Sequence, residues 1–412
     1  MTVRQTIHDK VAERLAVYQQ AALAIHAHPE TSNHEYFAQE TLTKLLADEG
    51  FAVTKDVAGH PTGFTAVYKS AKPGPVIVFL AEYDALAGIG HACGHNLFGA
   101  TSSLAGTALK AVIDEVGGEV RVYGTPGEEG GENGSAKGSF VREGFFKDVD
   151  AALCVHPSQR GHELTGKSLA CAPVDIEFHG RSSHAASAPE KGINALDALI
   201  QVYNSINALR QHLTSDVRIH GIITNGGTAP NVVPDYAAAK FYLRAATVPT
   251  LDEVKRKVAA IVEGAAMATG ATGLMKPSQN QVDNTVPTPS FDAVYAEELA
   301  KLGETAEPVS EKKSTGSSDV GNVSQVIPTI QPHIRISAAP IAGHSEDFKK
   351  AACSELGLAS IGLGAEVLAA TASIGLGAEV LAATALRLIE DPVLLARIKA
   401  EHAENVRRQL ML

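Results

Sequence analysis

Residues 75 to 80 constrain the fold more than any others in this chain. They read Pro-Val-Ile-Val-Phe-Leu, a continuous apolar run that suits a strand covered on both faces. Such a strand belongs in a mostly parallel sheet sandwiched by helices, and the order of patterns around it agrees. Glu119 to Tyr123 and Ala151 to Pro157 are further strand-like runs, separated from the first by the Ala- and Leu-rich helical stretch Leu97–Ile113 and a short helix at 137–145. In open α/β sheets, ligands collect at the carboxyl ends of the strands. What this chain carries at those ends is therefore the first functional question.

The first run ends in Glu82 and Asp84, followed by His91-Ala92-Cys93-Gly94-His95-Asn96. A thiol and an imidazole separated by one glycine can share a face of an extended segment. The second ends in Gly124-Thr-Pro-Gly-Glu128-Glu129-Gly-Gly131, and the third in His156-Pro157. Cysteine, histidine and glutamate are the donors a zinc-type ion prefers. Each has an ordinary explanation alone: a small buried thiol, a hydrogen-bonded histidine, a solvated acidic loop. Jointly they read as a metal site that activates water. A cysteine hydrolase with Cys93 as nucleophile and His95 as base leaves the Glu pair unexplained. From a straight strand, neighbouring acids face opposite ways, so the glycine-rich loop must let one bind and the other stand free. Asp84 reads as an acid that orients a ligating histidine, and the alternative is a plain turn residue.

The rest of the chain frames these motifs. Val3, Ile7, Val11, Leu15, Tyr18, Ala22 and Ile25 mark an amphipathic first helix. Thr31 to Asn33 offer caps for a second, at 35–49, and Phe51–Val57 and Gly63–Tyr68 read as strands. From about residue 172 a strand-helix-strand-strand-helix-strand pattern suggests a compact, ferredoxin-like α+β insertion. Helix 290–302, sheet over Ile327–Ile336, a glycine- and serine-rich loop at Ser314–Asn322 and a charged helix from Asp391 follow. Ser345 caps a helix directly after His344.

A thirteen-residue segment, Ala359–Thr371, recurs unchanged as Ala372–Thr384. In one helix the repeat would turn the apolar stripe by about 140°, so one copy is expected to dock and the other to loop out. No function is attached to it.

At 412 residues the chain is expected to form two domains, and its hydrophobic content of 45 % can build a real core. A net charge of −11 without basic clusters argues against nucleic acid or an anionic membrane surface as partner. Four cysteines without CxxC spacing and a polar, signal-free beginning suit the cytoplasm. With 5 % aromatic residues and no Trp there is no obvious platform for an aryl group, which points towards dipeptides or aliphatic acyl groups.

Taken together, Cys93-Gly94-His95, Glu128-Glu129, His156-Pro157 and His344 make the chain resemble the dinuclear zinc aminoacylase/carboxypeptidase family. The closest branch is the amidohydrolases that split p-aminobenzoyl-glutamate, N-acyl amino acids and dipeptides. The resemblance implies a zinc-exopeptidase-like catalytic domain of residues 1–171 and 287–412, with a lid or dimerisation domain at 172–286. It implies Cys93, His95, Glu129, His156 and His344 as ligands of two divalent ions, zinc first, then manganese or cobalt, with Cys93 as the bridge. Glu128 would be the general base and His184 the donor to the oxyanion, while Asn231 and Arg244 would orient the substrate. Where the branch more often carries Asp after Cys-Gly-His, this chain has Asn96. The implied reaction is hydrolysis of a small amide with a free carboxylate, in a homodimer that could pair further into a tetramer. The competing reading is a non-catalytic relative that binds a metabolite or peptide; such a protein has no need of Glu128. A structural zinc protein, the third reading, would show a closed four-ligand site.

Overall fold

The computed structural model describes residues 3–158, 160–308, 316–356, 358, 388 and 391–411. The chain divides into two compact units, one formed by residues 1–167, 285–315 and 319–411, the other by residues 168–284 with 316–318.

The first unit opens with α1 (Val3–Ala27) and α2 (Tyr36–Asp48), then β1 (Ala52–Val57), β2 (His60–Lys69) and β3 (Val76–Ala81). It continues through α3 (His95–Val116), β4 (Glu119–Gly124), α4 (Ala136–Arg142), β5 (Ala151–Leu153) and β6 (His156–Ser158). The sheet runs β1-β2-β4-β3-β5 and ends on the late strand β11 (Thr329–Ile330). Its four strands from β4 to β11 are mutually parallel, and β1 and β2 add an antiparallel edge. The expected mostly parallel, sandwiched sheet is thus borne out.

Strand β3 is covered on both sides, as its apolar run demanded. Ile77, Phe79 and Ala81 pack into a core with α1, α2 and α3, while Val78 and Leu80 face a second core built with Phe98, Tyr123 and Phe140. Alternate side chains of one strand thus anchor two layers, and removing the buried Phe79 ring would cost about 3–5 kcal/mol.

Three local expectations are corrected. The stretch Ala151–Pro157 is not one strand: the chain leaves the main sheet after Leu153, and β6 pairs in parallel with β12 (His333–Arg335) in a separate ribbon. Helix α2 is not capped by Thr31, Ser32 or Asn33. The Glu30 carboxylate instead accepts the Phe37 and Ala38 N–H groups, satisfying donors that a helix start leaves open. Within the loop expected at 314–322, Val320 to Asn322 belong to the short helix α8 (Val320–Ser324). The unit is completed by α7 (Pro289–Lys301), α9 (Glu346–Ala351), capped by Ser345 Oγ at 3.2 Å from the Phe348 nitrogen, and α10 (Pro392–Leu410). The repeat at 359–384 lies outside the described residues.

The second unit carries the expected order β7 (Ala170–His179), α5 (Ala195–Leu209), β8 (Arg218–Asn225), β9 (Tyr236–Ala245), α6 (Val248–Thr269) and β10 (Thr272–Pro277). Its antiparallel sheet runs β10-β7-β9-β8. Ala237, Ala239, Phe241 and Leu243 of β9 point into a core shared with α5 and α6. Helix α5 starts at Ala195 because Asn194 caps it, accepting the Leu196 and Asp197 N–H groups. None of the described helices is long and apolar enough to cross a membrane.

Candidate metal centre

The carboxyl ends of β3 and β4, the start of β6 and the turn before α9 converge within the first unit. The Cys93-Gly94-His95 segment is not extended: Cys93 lies in a turn, and His95 opens α3. Gly94 makes the bend with φ +81°, and a Cβ there would sit 3.0 Å from two carbons of Pro157. Only glycine adopts that conformation readily while fitting against the proline. The thiol and imidazole share a direction because of this left-handed residue rather than because of strand alternation.

Donor atoms of Cys93, His95 and His156 lie within 4.8 Å of one another, and so do those of Cys93, Glu129 and His344. Cys93 stands in both groups. Its Sγ is 3.5 Å from His156 Nε2, and His344 Nε2 is 3.5 Å from Glu129 Oε1. The two acids of the loop diverge: Glu128 Oε2 approaches His95 Nε2 at 4.0 Å, where Glu82, His95 and Glu128 form a third donor group, while Glu129 turns towards His344.

The His95 and His156 rings are each held by the nitrogen that faces away from the thiol. His95 Nδ1 donates to Asp84 Oδ1 at 3.0 Å, and His156 Nδ1 to the Pro157 carbonyl at 2.7 Å. For His156 that leaves Nε2 with its lone pair turned inward, the arrangement ligating histidines adopt. At His95 burial opposes the charged ring, yet Cys93 and Asp84 outweigh it and raise its pKa, so a bound ion would take the place of the Nε2 proton. Burial, with the charge of His95 adding, pushes His156 down to about 4, so it is neutral near pH 7. Among the described residues, the buried His95 Nε2 and Glu129 Oε1 make no well-aligned hydrogen bond and meet ion-pair contacts instead, His95 with Glu82 and Glu128, Glu129 with His344. Burial drives the Cys93 thiol well above its ordinary pKa, Glu129 and Glu128 push the same way, and His95 opposes them. A thiolate in these surroundings requires a cation. The inward lone pair of His156, the clustered thiol, imidazole and carboxylate donors, and the placing of that thiol against carboxylates together fit a divalent ion of borderline softness.

Four buried groups that sequence reasoning gave no role complete the surroundings. Glu82 Oε2 lies 3.2 Å from His95 Nε2, and its Oε1 is 2.8 Å from Lys137 Nζ. Lys137 also reaches Asp319 Oδ1 at 2.6 Å. Burial opposes the ammonium, yet Asp319 and Glu82 outweigh it and raise its pKa. Glu35 accepts the Gly127 N–H at 3.0 Å and the Thr62 hydroxyl at 2.6 Å. Burial and then the Asp84 charge lift its carboxyl to about 8. Nothing local in the sequence marks these residues. Lys137 and Asp319 are 182 positions apart, and Glu35 and Gly127 are 92 apart. Glu128 itself is raised well above the usual carboxyl range by burial, Glu82 and Glu129, with His95 opposing.

The position after the motif is structural. The Asn96 amide donates to the carbonyls of Ala22 and Ala352, tying the start of α3 to α1 and to the residue after α9. His91 is buried, stacks on His26 and is pushed down to about 3, first by burial.

His184, Asn231 and Arg244 belong to the second unit. His184 is exposed, and its Nδ1 accepts the N–H groups of Ala186 and Ser187, which leaves the proton on Nε2. The Asn231 carbonyl accepts the Ala185 N–H at 3.0 Å, so these two segments are tied together. Arg244 is half-buried, donates to Ser317 Oγ at 2.9 Å and lies over the Tyr242 ring.

Comparison with known proteins is consistent with this chemistry. Residues 171–269 match the model of the M20 peptidase dimerisation domain. A human Xaa-Arg dipeptidase is 35 % identical over 367 residues, covering 84 % of this chain and 82 % of the human protein. One of the p-aminobenzoyl-glutamate hydrolase subunits of Escherichia coli K12 is 38 % identical over 65 % of this chain and 58 % of its own length. The fold is similar to that of a dinuclear metal-binding peptidase of the M20 family from Bacillus subtilis, with a TM-score of 0.61 at 21 % identity over 92 % of this chain and 98 % of that one. The chain belongs to the M20 family and is, like its relatives, a metal-dependent hydrolase of amide bonds.

Proposed function

We propose that this protein uses two divalent ions per chain, zinc first among them, to hydrolyse the amide bond of a small substrate with a free carboxylate, dipeptides before N-acyl amino acids. The observation that carries the reading is the presence of Cys93 in both donor groups. In it, Cys93, His95 and His156 hold one ion, Cys93, Glu129 and His344 the other. When bound, the ions acidify a water and polarise the scissile carbonyl. Glu128 stands outside both Cys93 groups, its carboxylate grouped instead with Glu82 and His95, and in this reading it takes the proton of the attacking water and hands it to the leaving nitrogen. Asp84 and the Pro157 carbonyl keep the His95 and His156 rings in the ligating tautomer.

The second unit, residues 172–286 in this reading, serves as lid and dimerisation domain. His184 offers Nε2–H to the developing oxyanion, Asn231 orients the substrate, and Arg244 holds its carboxylate. Support for the homodimer comes from the dimerisation-domain match and from β8, an edge strand exposing Ile222 and Ile223. The four free cysteines suit a reducing cytoplasm, the location we assign.

The test is a panel of dipeptides, led by those with C-terminal arginine after the name of the human relative, alongside N-acyl amino acids and p-aminobenzoyl-glutamate. Hydrolysis should vanish with chelator and return with zinc, manganese or cobalt. Binding without turnover across the panel in the metal-loaded protein would favour a metabolite- or peptide-binding relative.

A further inference from the structure

We propose that Glu35 is a positioning residue for the reaction: its buried carboxyl group fixes the backbone on one side of Glu128, as Asp84 fixes it on the other. The Gly127 N–H, just before the acid, donates to Glu35 Oε1 at 3.0 Å. The Glu129 N–H, just after it, donates to Asp84 Oδ2 at 3.0 Å. Two buried acid side chains thus hold the two amides that flank Glu128.

The loop needs such holding. Gly127, Gly130, Gly131, Asn133 and Ser135 all have positive φ, so the segment is rich in conformations that a free chain leaves easily. Neighbouring contacts tie it to the same stretch of chain between α1 and α2. Asn33 Nδ2 donates to the carbonyls of Glu132 and Asn133, both at 2.9 Å, and a Cβ on Gly127 would run into Ser32 Oγ. Glu35 is fully buried, and its other oxygen takes the Thr62 hydroxyl at 2.6 Å. A buried carboxyl is destabilising unless its oxygens are satisfied, and here the donors come from the strand β2 and from the acid-bearing loop. A shift of about 1 Å in a catalytic group can cost about a hundredfold in rate, so the value of the contact is expected in turnover.

The inference rests on Glu128 as proton carrier, and the experiment separates the two. Glu35→Ala, Glu35→Gln and Glu128→Gln are prepared in the full-length, metal-loaded protein. For each, kcat and KM are measured on a dipeptide that the wild type cleaves, together with metal content. Glu35→Ala should lose about tenfold to a hundredfold in kcat, with KM within about twofold and metal content unchanged. Glu35→Gln should recover most of the loss, because its amide oxygen can still accept the Gly127 N–H. Should Glu35→Ala fail to fold, Glu35→Asp, one methylene short of Gly127, should show the same selective fall in kcat. Wild-type kcat in Glu35→Ala or Glu35→Asp, equal loss in Glu35→Gln and Glu35→Ala, or a loss explained by departed metal overturns the proposal. If Glu128→Gln is inactive while Glu35→Ala is normal, only this inference falls; an active Glu128→Gln removes the reading beneath it.

Discussion

His95 and Asp84 form the pivot of the centre: Nδ1 of the imidazole lies 3.0 Å from Oδ1 of the acid, and Oδ2 of that acid accepts the Glu129 N–H at the same distance. One buried carboxylate therefore orients a histidine donor and the backbone of a glutamate donor. Burial pushes Asp84 up, but His95, the Glu129 amide and Lys137 outweigh it and leave its pKa lowered.

In Asp84→Asn a single acceptor oxygen must serve both contacts, and one is lost. Metal affinity should fall by about tenfold to a hundredfold while the far-ultraviolet circular dichroism stays that of the wild type. Competition with a chromophoric chelator measures this, and unchanged affinity would show that Asp84 does not support the donors.

Asn96→Asp reverses the sign of a buried contact. The amide now donates to two carbonyls, those of Ala22 and Ala352. A carboxylate of the same shape would set a charge against both acceptors, and stability should drop by about 3 kcal/mol. Denaturant titration checks this. A variant as stable as the wild type would mean that this residue does not tie α3 to its neighbours.

Asp292 gives the fold a pH dependence. Burial raises its carboxyl from 3.8 to about 6, against the Thr165 hydroxyl and amide that donate to it. The folded state therefore binds more protons than the unfolded one between these values, and stability falls as pH rises through that window. The loss is on the order of 3 kcal/mol. Asp292→Asn keeps an oxygen for both Thr165 contacts and does not titrate. Its unfolding free energy should match the wild type near about pH 4 and exceed it near about pH 8. Parallel curves for the two proteins across this range would refute the assignment.

The sheet and the grouping of six side chains were legible because each depends on short segments. Pro75–Leu80 announces a strand buried on both faces by composition alone, and Cys93, Glu128 and His344 sit in brief motifs beside glycine or at an element's edge. What escaped depends on pairs far apart or on one dihedral angle. No period marks Lys137 as buried between Glu82 and Asp319, because its helix is seven residues long and its partners come from other elements. Glu35 looked like a helix-start acid, whereas the helix is capped by Glu30 and Glu35 serves a loop 92 residues away. The break between β5 and β6 is invisible in an unbroken apolar run; it arises from pairing with His333–Arg335 far downstream.

The central claim is that Glu128 moves protons without holding an ion. Hydrolysis by Glu128→Gln at wild-type metal content tests it most directly. Metal per chain should be unchanged, and kcat should fall by about a thousandfold. Wild-type turnover by the loaded variant, or loss of an ion with the side-chain change, would contradict it.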